Sequence, residues 1–217
     1  MVRELTEIRK SLIVDGIPSS DLILFCPGLH GLGGKLLDRS AYANHGTITG
    51  AAWARLPRGI YILNLDGTDD KITFPAHAIY SDLTNLTIET WVQPAAGFTT
   101  NYRKIINVSD DGFYLYTDSS SGKVVIYPPG IVSTTPLVAG TIYHIRVTKL
   151  GTAVKLYIND VMEGSGTGSI ATATRSLNIG ADAAGTAQFW KGKIGMMRLN
   201  AGVAASLYSR QRHLFGV

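Results

Sequence analysis

From residue 22 onward the chain is a succession of short apolar or β-branched runs broken by glycine, Asp, Asn, Ser or Pro. They read LILFCPGL, IYILNL, KITF, LTIETWV, KIINV, FYLYT, KVVIY, IYHIRVTKL, AVKLYIN, SLNIG and KIGMMRL. Several alternate with period two. Val154, Leu156 and Ile158 stand against Lys155, Tyr157 and Asn159, as in a strand with one covered and one wetter face. The Asn159-Asp160 pair that follows fits a tight hairpin turn. About ten such strands with regular turn signals and no central helix predict an all-β fold, a two-sheet antiparallel sandwich of the jelly-roll kind, and exclude a βαβ architecture.

The two ends depart from this grammar. Leu5, Ile8, Leu12 and Ile13 recur at helical spacing, with Glu4, Glu7, Arg9 and Lys10 elsewhere around the turn, which predicts a short amphipathic helix in an N-terminal arm over residues 1–21. Residues 201–212 predict a short C-terminal helix or tail. Without a longer repeat or a low-complexity linker, residues 22–217 read as one domain.

Composition narrows the function classes. Charged residues make up 17% of the 217, below a typical ~25%, and glycine is abundant, which excludes disorder. The net charge of +4 is scattered without a like-charge run, so no nucleic-acid groove is expected. Cys26 is the single cysteine and permits no internal disulfide. The N-terminal stretch MVRELTEIRKSLIVDG has charges in every apolar segment and so lacks a signal-peptide core, and no apolar run reaches the roughly 18 residues of a bilayer span. The expectation is synthesis in the cytoplasm, no membrane insertion, and release by lysis, as virion proteins are released, or by a route without an N-terminal signal.

The order of motifs is informative. LLDRSAYANHGTITGAAW carries a D-x-S-x-x-x-N-H-G segment at Asp38, Ser40, Asn44, His45 and Gly46. LNLDGTDDKITFP, NLTIETWVQP, TIYHIRVTKLGTAVKLYINDV, SLNIGAD and FWKGKIGMMRL follow in turn. Over about residues 22–210 this series resembles the laminin G-like branch of the concanavalin A-like lectin/glucanase superfamily. The resemblance implies a jelly roll of two antiparallel sheets with rims of variable chemistry. It implies no single activity, since members include glycan binders, adhesion modules, virion parts and glycosidases.

Catalysis finds little support. A glycosidase needs two carboxyl groups about 5–5.5 Å apart if retaining and roughly 6.5–9.5 Å apart if inverting, and the glucanase branch supplies them as E-x-D-x-E. No such run exists, and the sandwich contains only Glu89 and Glu163 among the four glutamates. Asp69/Asp70 and Asp110/Asp111 are adjacent, which on an extended chain sends their side chains to opposite faces. None of the five histidines (His30, His45, His77, His144 and His213) sits in a nucleophile frame. His45 reads as a turn-stabilising hydrogen bond and His144 as structural, and HGLGGK at 30–35 lacks P-loop spacing. The catalytic set is empty and the chain reads as no enzyme. No cofactor is implied; calcium is the one metal considered, because Asp38, Asp69, Asp70, Asp110 and Asp111 offer hard oxygens. The family's late K-I-D-E-V stands here as Lys193-Ile194-Gly195-Met196-Met197, which weakens transfer of any metal set.

Glycan binding would use aromatic faces against sugar rings. Tyr42, Trp53, Phe98, Tyr102, Tyr127, Phe189 and Trp190 lie in or beside predicted loops, and Tyr42, Trp53, Tyr102, Phe189 and Trp190 are taken as ligand-binding candidates, with Trp91 assigned to the core. Two functions follow. One is a non-catalytic structural and surface-binding component of a phage or virus particle (a capsid decoration, tail or fibre protein). Its partners are its own copies or other virion proteins, engaged through Leu5, Ile8, Leu12, Arg210, Arg212, Leu214 and Phe215. On that reading, deleting residues 1–14 or 206–217 stops assembly and leaves the sandwich folded. The other is a stand-alone lectin or adhesion module that binds glycans, with a glycoside hydrolase ranked third.

Overall fold

The computed structural model describes residues 21–31, 33–80, 84–108, 112–169 and 175–217. Of the expected arm only Asp21 is among them, so Leu5, Ile8 and Leu12 lie outside the described residues, as do Asp110 and Asp111. The strands in chain order are β1 (Leu22–Cys26), β2 (Lys35–Leu36), β3 (Gly46–Thr49), β4 (Ala52–Arg55), β5 (Tyr61–Asp66), β6 (Lys71–His77), β7 (Leu86–Pro94), β8 (Arg103–Asn107), β9 (Tyr114–Thr117) and β10 (Lys123–Tyr127). They continue as β11 (Ile131–Pro136), β12 (Tyr143–Leu150), β13 (Ala153–Ile158), β14 (Val161–Thr167), β15 (Arg175–Ile179) and β16 (Lys191–Asn200), followed by one helix, α1 (Tyr208–Phe215).

Two antiparallel sheets of eight strands face each other. The first runs β14-β13-β12-β7-β16-β5-β4 with β1 beside β16; the second runs β11-β10-β9-β8-β15-β6-β3-β2. This is the sandwich that the alternating pattern predicts. The core lies between the sheets, with Leu65, Ile88, Val92, Val147, Leu156 and Leu199 from one side meeting Ile72, Phe74, Ile106, Leu115 and Ile126 from the other. Asn159 and Asp160 both have positive φ, 50° and 66°, the geometry of a two-residue hairpin turn that matches strand twist; it joins β13 to β14.

The D-x-S-x-x-x-N-H-G segment is a structural hub. Asp38 is buried, and its carboxylate accepts from the backbone N–H of Phe25 (2.9 Å), Ser40 (2.8 Å) and Asn44 (2.9 Å) and from Ser40 Oγ (2.7 Å). Asn44 Nδ2 donates to Pro75 O and to the Tyr80 hydroxyl, and His45 Nδ1 accepts from the Asp38 N–H at 3.2 Å. Four donors saturate one carboxylate, so Asp38 leaves the calcium set and His45 holds a turn.

The departure at residues 193–197 has a packing cause. A Cβ on Gly195 would lie 2.2 Å from Ile62 Cγ2, closer than any real contact, so no acidic side chain fits there. A bulge between Gly195 and Arg198 interrupts the β16–β7 pairing, and such an extra residue reorients the strand. It lets Met197 join the inter-sheet core while Met196 joins the cluster on the outer side.

That outer side of the first sheet is covered by α1. Phe215 stacks on Trp91 at a centroid distance of 4.0 Å, Tyr208 packs at 5.8 Å, and Trp91 Nε1 donates to Gln211 Oε1 at 2.9 Å. The helix starts at 208 rather than near 201 because residues 201–207 are used as a strap. Thr87 Oγ1 donates to Gly202 O and accepts from the Ala204 N–H, Arg198 Nη2 donates to Ala205 O, and the Leu207 N–H donates to Glu89 Oε1. The helix ends where Gly216 takes a φ of 79° and donates to Arg212 O, a left-handed cap suited to glycine. Among the terminal candidates, Phe215 is therefore buried on its own sheet, Leu214 is half-buried, and Arg210 and Arg212 are exposed. Residues 206–217, expected to be removable without loss of the fold, cover Trp91 and close over Glu89. No helix among the described residues is long and apolar enough to cross a membrane.

Candidate functional site

The candidate aromatics do not share a rim. Tyr42 is exposed and lies edge-on to His77. Trp53 is half-buried on β4, with His30 at 5.0 Å and Tyr61 at 6.5 Å. Phe189 is half-buried and serves through its backbone, since its carbonyl accepts from Arg103 Nη1. Trp190 is 0% exposed and packs on Phe98 in the core; its ring offers no face to a ligand. The reason is period two: Trp190, Gly192 and Ile194 continue one buried face of β16 into the preceding loop.

Tyr102 is different, because sheet pairing gives it company. β9 shows half-buried Tyr114 and Tyr116 alternating with buried Leu115 and Thr117, which places both tyrosines on the outer face of the second sheet. Tyr116 pairs with Lys104 of β8 and Val125 of β10, and Tyr114 pairs with Asn107 and Tyr127. Four rings follow one another: Tyr102 to Tyr116 at 5.8 Å, Tyr116 to Tyr114 at 5.5 Å, and Tyr114 to Tyr127 at 5.0 Å. The two ends of this row are the most open, with Tyr102 49% and Tyr127 46% exposed.

A cation and a clamp fix the row. Lys104 Nζ lies 3.3 Å from the Tyr114 centroid and 4.8 Å from that of Tyr116, a cation–π arrangement that holds both middle rings. Arg103, next to Tyr102, donates to Gly67 O, Phe189 O and Thr100 Oγ1 and so anchors the start of β8 to three loops. Burial lowers the pKa of this guanidinium. Burial, followed by the neighbouring Tyr114, raises the pKa of the Tyr116 phenol, which keeps it protonated and able both to donate and to accept. The row thus combines apolar ring surface with phenolic hydroxyls that can donate and accept hydrogen bonds.

The two glutamates of the sandwich have structural partners. Glu89 lies under α1, with Arg198 Nη2 at 2.6 Å from Oε2 and Arg146 Nε at 3.8 Å from Oε1. Burial pushes its pKa up against the pull of Arg198. Glu163 ties β14 to β11, its carboxylate accepting from Thr135 N and Thr135 Oγ1. The adjacent pair Asp69/Asp70 requires a correction: the bend at 67–69 brings carboxylate oxygens of Asp66, Asp69 and Asp70 within 4.8 Å of one another, because period two holds for extended chain only. Turn bonds account for much of this cluster. Asp66 Oδ1 accepts from the Thr68 N–H, Asp70 Oδ2 accepts from the Asp66 N–H, and a Cβ on Gly50, whose φ is +73°, would fall 1.9 Å from Asp70 Oδ1.

Two eight-stranded antiparallel sheets closed over one core define a jelly-roll sandwich. The chain belongs to the concanavalin A-like lectin/glucanases superfamily, whose laminin G-type model matches residues 66–203. Domain 4 of AbnA, an extracellular arabinanase from Geobacillus stearothermophilus solved in complex with arabinotriose, is similar in structure with a TM-score of 0.69 at 22% identity, over 91% of this chain and 99% of that one. The botulinum neurotoxin serotype D binding domain gives 0.64 at 15% identity, over 90% of this chain and 52% of that one. Trypanosoma rangeli sialidase in complex with sialic acid gives 0.65 at 15%, over 99% of this chain and 37% of that one. This chain therefore spans about half of the toxin domain and little more than a third of the sialidase. Identities at this level describe a shared fold. No curated protein matches the sequence.

Proposed function

We propose that the chain is a non-catalytic carbohydrate-binding module that reads glycans with the tyrosine row on the outer face of its second sheet. The observation that carries this reading is the sequence of four neighbouring rings, open at both ends and braced by Lys104. The arabinanase domain and the sialidase, both solved with sugars, support it as structural relatives. Both glutamates of the sandwich are committed to structural partners, which supports the absence of a glycosidase dyad. Display on a virion surface is kept as a proposed setting for this face, with the array below reading the activity wherever it is displayed.

A broad glycan array, probed with purified protein and with the Tyr102→Ala/Tyr127→Ala double variant, tests the reading. Specific binding by the parent chain and none by the variant is the expected result, with the bound glycans recovered uncleaved. Binding unchanged in the variant removes the tyrosine row from the site. Cleavage of a bound glycan overturns the non-catalytic reading.

A further inference from the structure

We infer that the strip of the first sheet left open beyond α1 is a second sugar site, a cleft that takes an anionic sugar with its charge on Lys193. The inference rests on the carbohydrate-binding reading and adds a place separate from the tyrosine row and the charge of the ligand held there.

The cleft follows from where the cover stops. Phe215, at the end of α1, lies over Trp91, and the next position of β7 on that face is Gln93. Register places Gln93 opposite Lys193 of β16, and Lys193 opposite Asn64 of β5. All three face outward, since their neighbours Val92, Ile194, Leu63 and Leu65 point into the inter-sheet core. Amide, ammonium and amide thus form one cross-strand row, with Asn64 exposed and the other two half-buried. They line a cleft of about 470 Å³, within the roughly 300–1,000 Å³ of small-ligand sites.

The walls are small and braced. Ala95, Ala96, Ala139 and Gly140 contribute no side chain longer than a methyl group, so the space between them stays open to a ligand. The Gly140 N–H donates to Pro94 O at 2.8 Å, Gln93 Nε2 donates to Gly140 O at 2.6 Å, and the Ala95 N–H donates to Lys191 O at 3.0 Å. These bonds tie both walls to the sheet, so the cleft is formed before a ligand arrives. At the floor a Cβ on Gly192 would lie 2.3 Å from Gln93 O, so glycine is what lets β16 pass there.

The lining sets the charge. Among the described residues that line the cleft none is acidic, and Lys193 is the one cation. Lys191, the next outward residue of β16, stands opposite Asp66, whereas Lys193 stands between two amides. An ammonium with neutral neighbours favours an anion, and the flanking amides offer both donors and acceptors to hydroxyl groups on either side of it. A sugar bearing a carboxylate or a sulfate ester supplies both kinds of group.

Heteronuclear NMR titration of the full chain with methyl glucuronide, glucose 6-sulfate and methyl glucoside tests the inference. An anionic sugar should shift the amide signals of Ala96, Gly140 and Gly192, and the neutral glucoside should bind about fivefold more weakly, as expected for one half-buried charge pair. Lys193→Gln should remove that preference and Lys193→Arg should keep it, each with an unchanged melting temperature. The Tyr102→Ala/Tyr127→Ala variant should bind in the cleft as the parent does. A preference for the uronate or for the sulfate ester supports the site and identifies the anion that the ammonium reads. A glucoside bound as tightly as both anionic sugars, or a preference that survives Lys193→Gln, overturns the charge argument. Inorganic sulfate acting as strongly as the sugars overturns the sugar site. Shifts confined to the tyrosine row, or failure of all three sugars beside a positive glycan array, overturn the cleft and leave the carbohydrate reading standing. Failure of all three together with a blank array overturns that reading as well.

Discussion

The two outer faces of this sandwich are built from similar residues, and one is covered while the other is left partly open. On the first sheet, Trp91, His144, Glu89, Arg146 and Arg198 lie beneath α1 and its strap, the aromatics stacked on Phe215 and Tyr208 and the charges bound to one another. On the second sheet, Tyr102, Tyr116, Tyr114 and Tyr127 follow one another, Lys104 lies over the two middle rings, and all four remain partly exposed. Aromatics next to cations are common to both. What separates them is the cover, eight helical residues that convert one face into a second hydrophobic core. An aromatic therefore gains meaning from what the topology lays over it, and substitutions should fail in different currencies: stability beneath the cover, binding where a face is open.

The largest effect is expected at Arg198, which is 2% exposed and bonds both Glu89 and Ala205 O. Arg198→Leu leaves a buried carboxylate without its main partner and should cost about 3–5 kcal/mol, measured by urea unfolding. The double variant Glu89→Leu/Arg198→Leu should recover most of that loss, because an apolar pair of similar volume removes the unpaired charge. A double variant no better than the single one would show that the arginine acts through the strap and not through the ion pair.

Next is the cover itself. Phe215→Ala vacates a buried ring position against Trp91 and should cost about 3 kcal/mol, lowering the melting temperature by roughly 6–12 °C. Glycan binding at a temperature where the variant is folded should stay the same. Loss of binding in a folded Phe215→Ala protein would join the two faces into one functional unit and break the contrast.

A smaller effect concerns pH. Burial, first among its causes, drives the His144 pKa from 6.5 down to about 3, so the folded chain holds the ring neutral while the unfolded chain protonates it. The 3.9 Å approach of His144 Nε2 to Glu89 is then a contact of a neutral imidazole. The unfolded state binds more protons between these pH values, so the stability this residue confers is complete above about pH 6.5 and lost as pH falls toward 3. Glu89 works in the opposite sense, since its raised pKa lets the folded state take a proton first as pH falls. His144→Phe should flatten the acid limb of the melting temperature against pH and leave the neutral plateau. An unchanged limb would assign the acid sensitivity elsewhere.

Much of the covered architecture was legible in the sequence, and little of the exposed site. Alternation in AVKLYIN, the Asn159-Asp160 turn and the D-x-S-x-x-x-N-H-G hub are local patterns, and each sits where its residues place it. The strands that escaped notice are short or small-residue edges, such as the two residues of β2 and the Glu-Gly-Ser-Gly stretch of β14, where closure against Ile131 matters more than side-chain period. The tyrosine row escaped for a different reason. Its members come from the residue before β8 and from β9 and β10, and pairing between strands is not written in any one of them. A partial signal existed: in Phe113-Tyr114-Leu115-Tyr116-Thr117 the buried half of the alternation is complete without the tyrosines, which left two large rings on the wetter face without a core to fill.

That surplus frames the smallest expected stability effect, which also separates the faces most cleanly. Tyr102 and Tyr127 are each about half exposed, and surface substitutions away from caps, turns and buried networks usually stay within about ±0.5 kcal/mol. Replacing both with alanine should therefore shift the melting temperature by roughly 4 °C at most, measured by differential scanning fluorimetry. Lys104 and the inner rings of Tyr114 and Tyr116 keep their cation–π contacts in this variant, so the second sheet stays folded while the ends of the row are gone. A loss of several kcal/mol would mean that the outer tyrosines brace the sheet as Phe215 braces the first one. The row would then be a second structural patch, and the difference between the faces would be one of exposure alone.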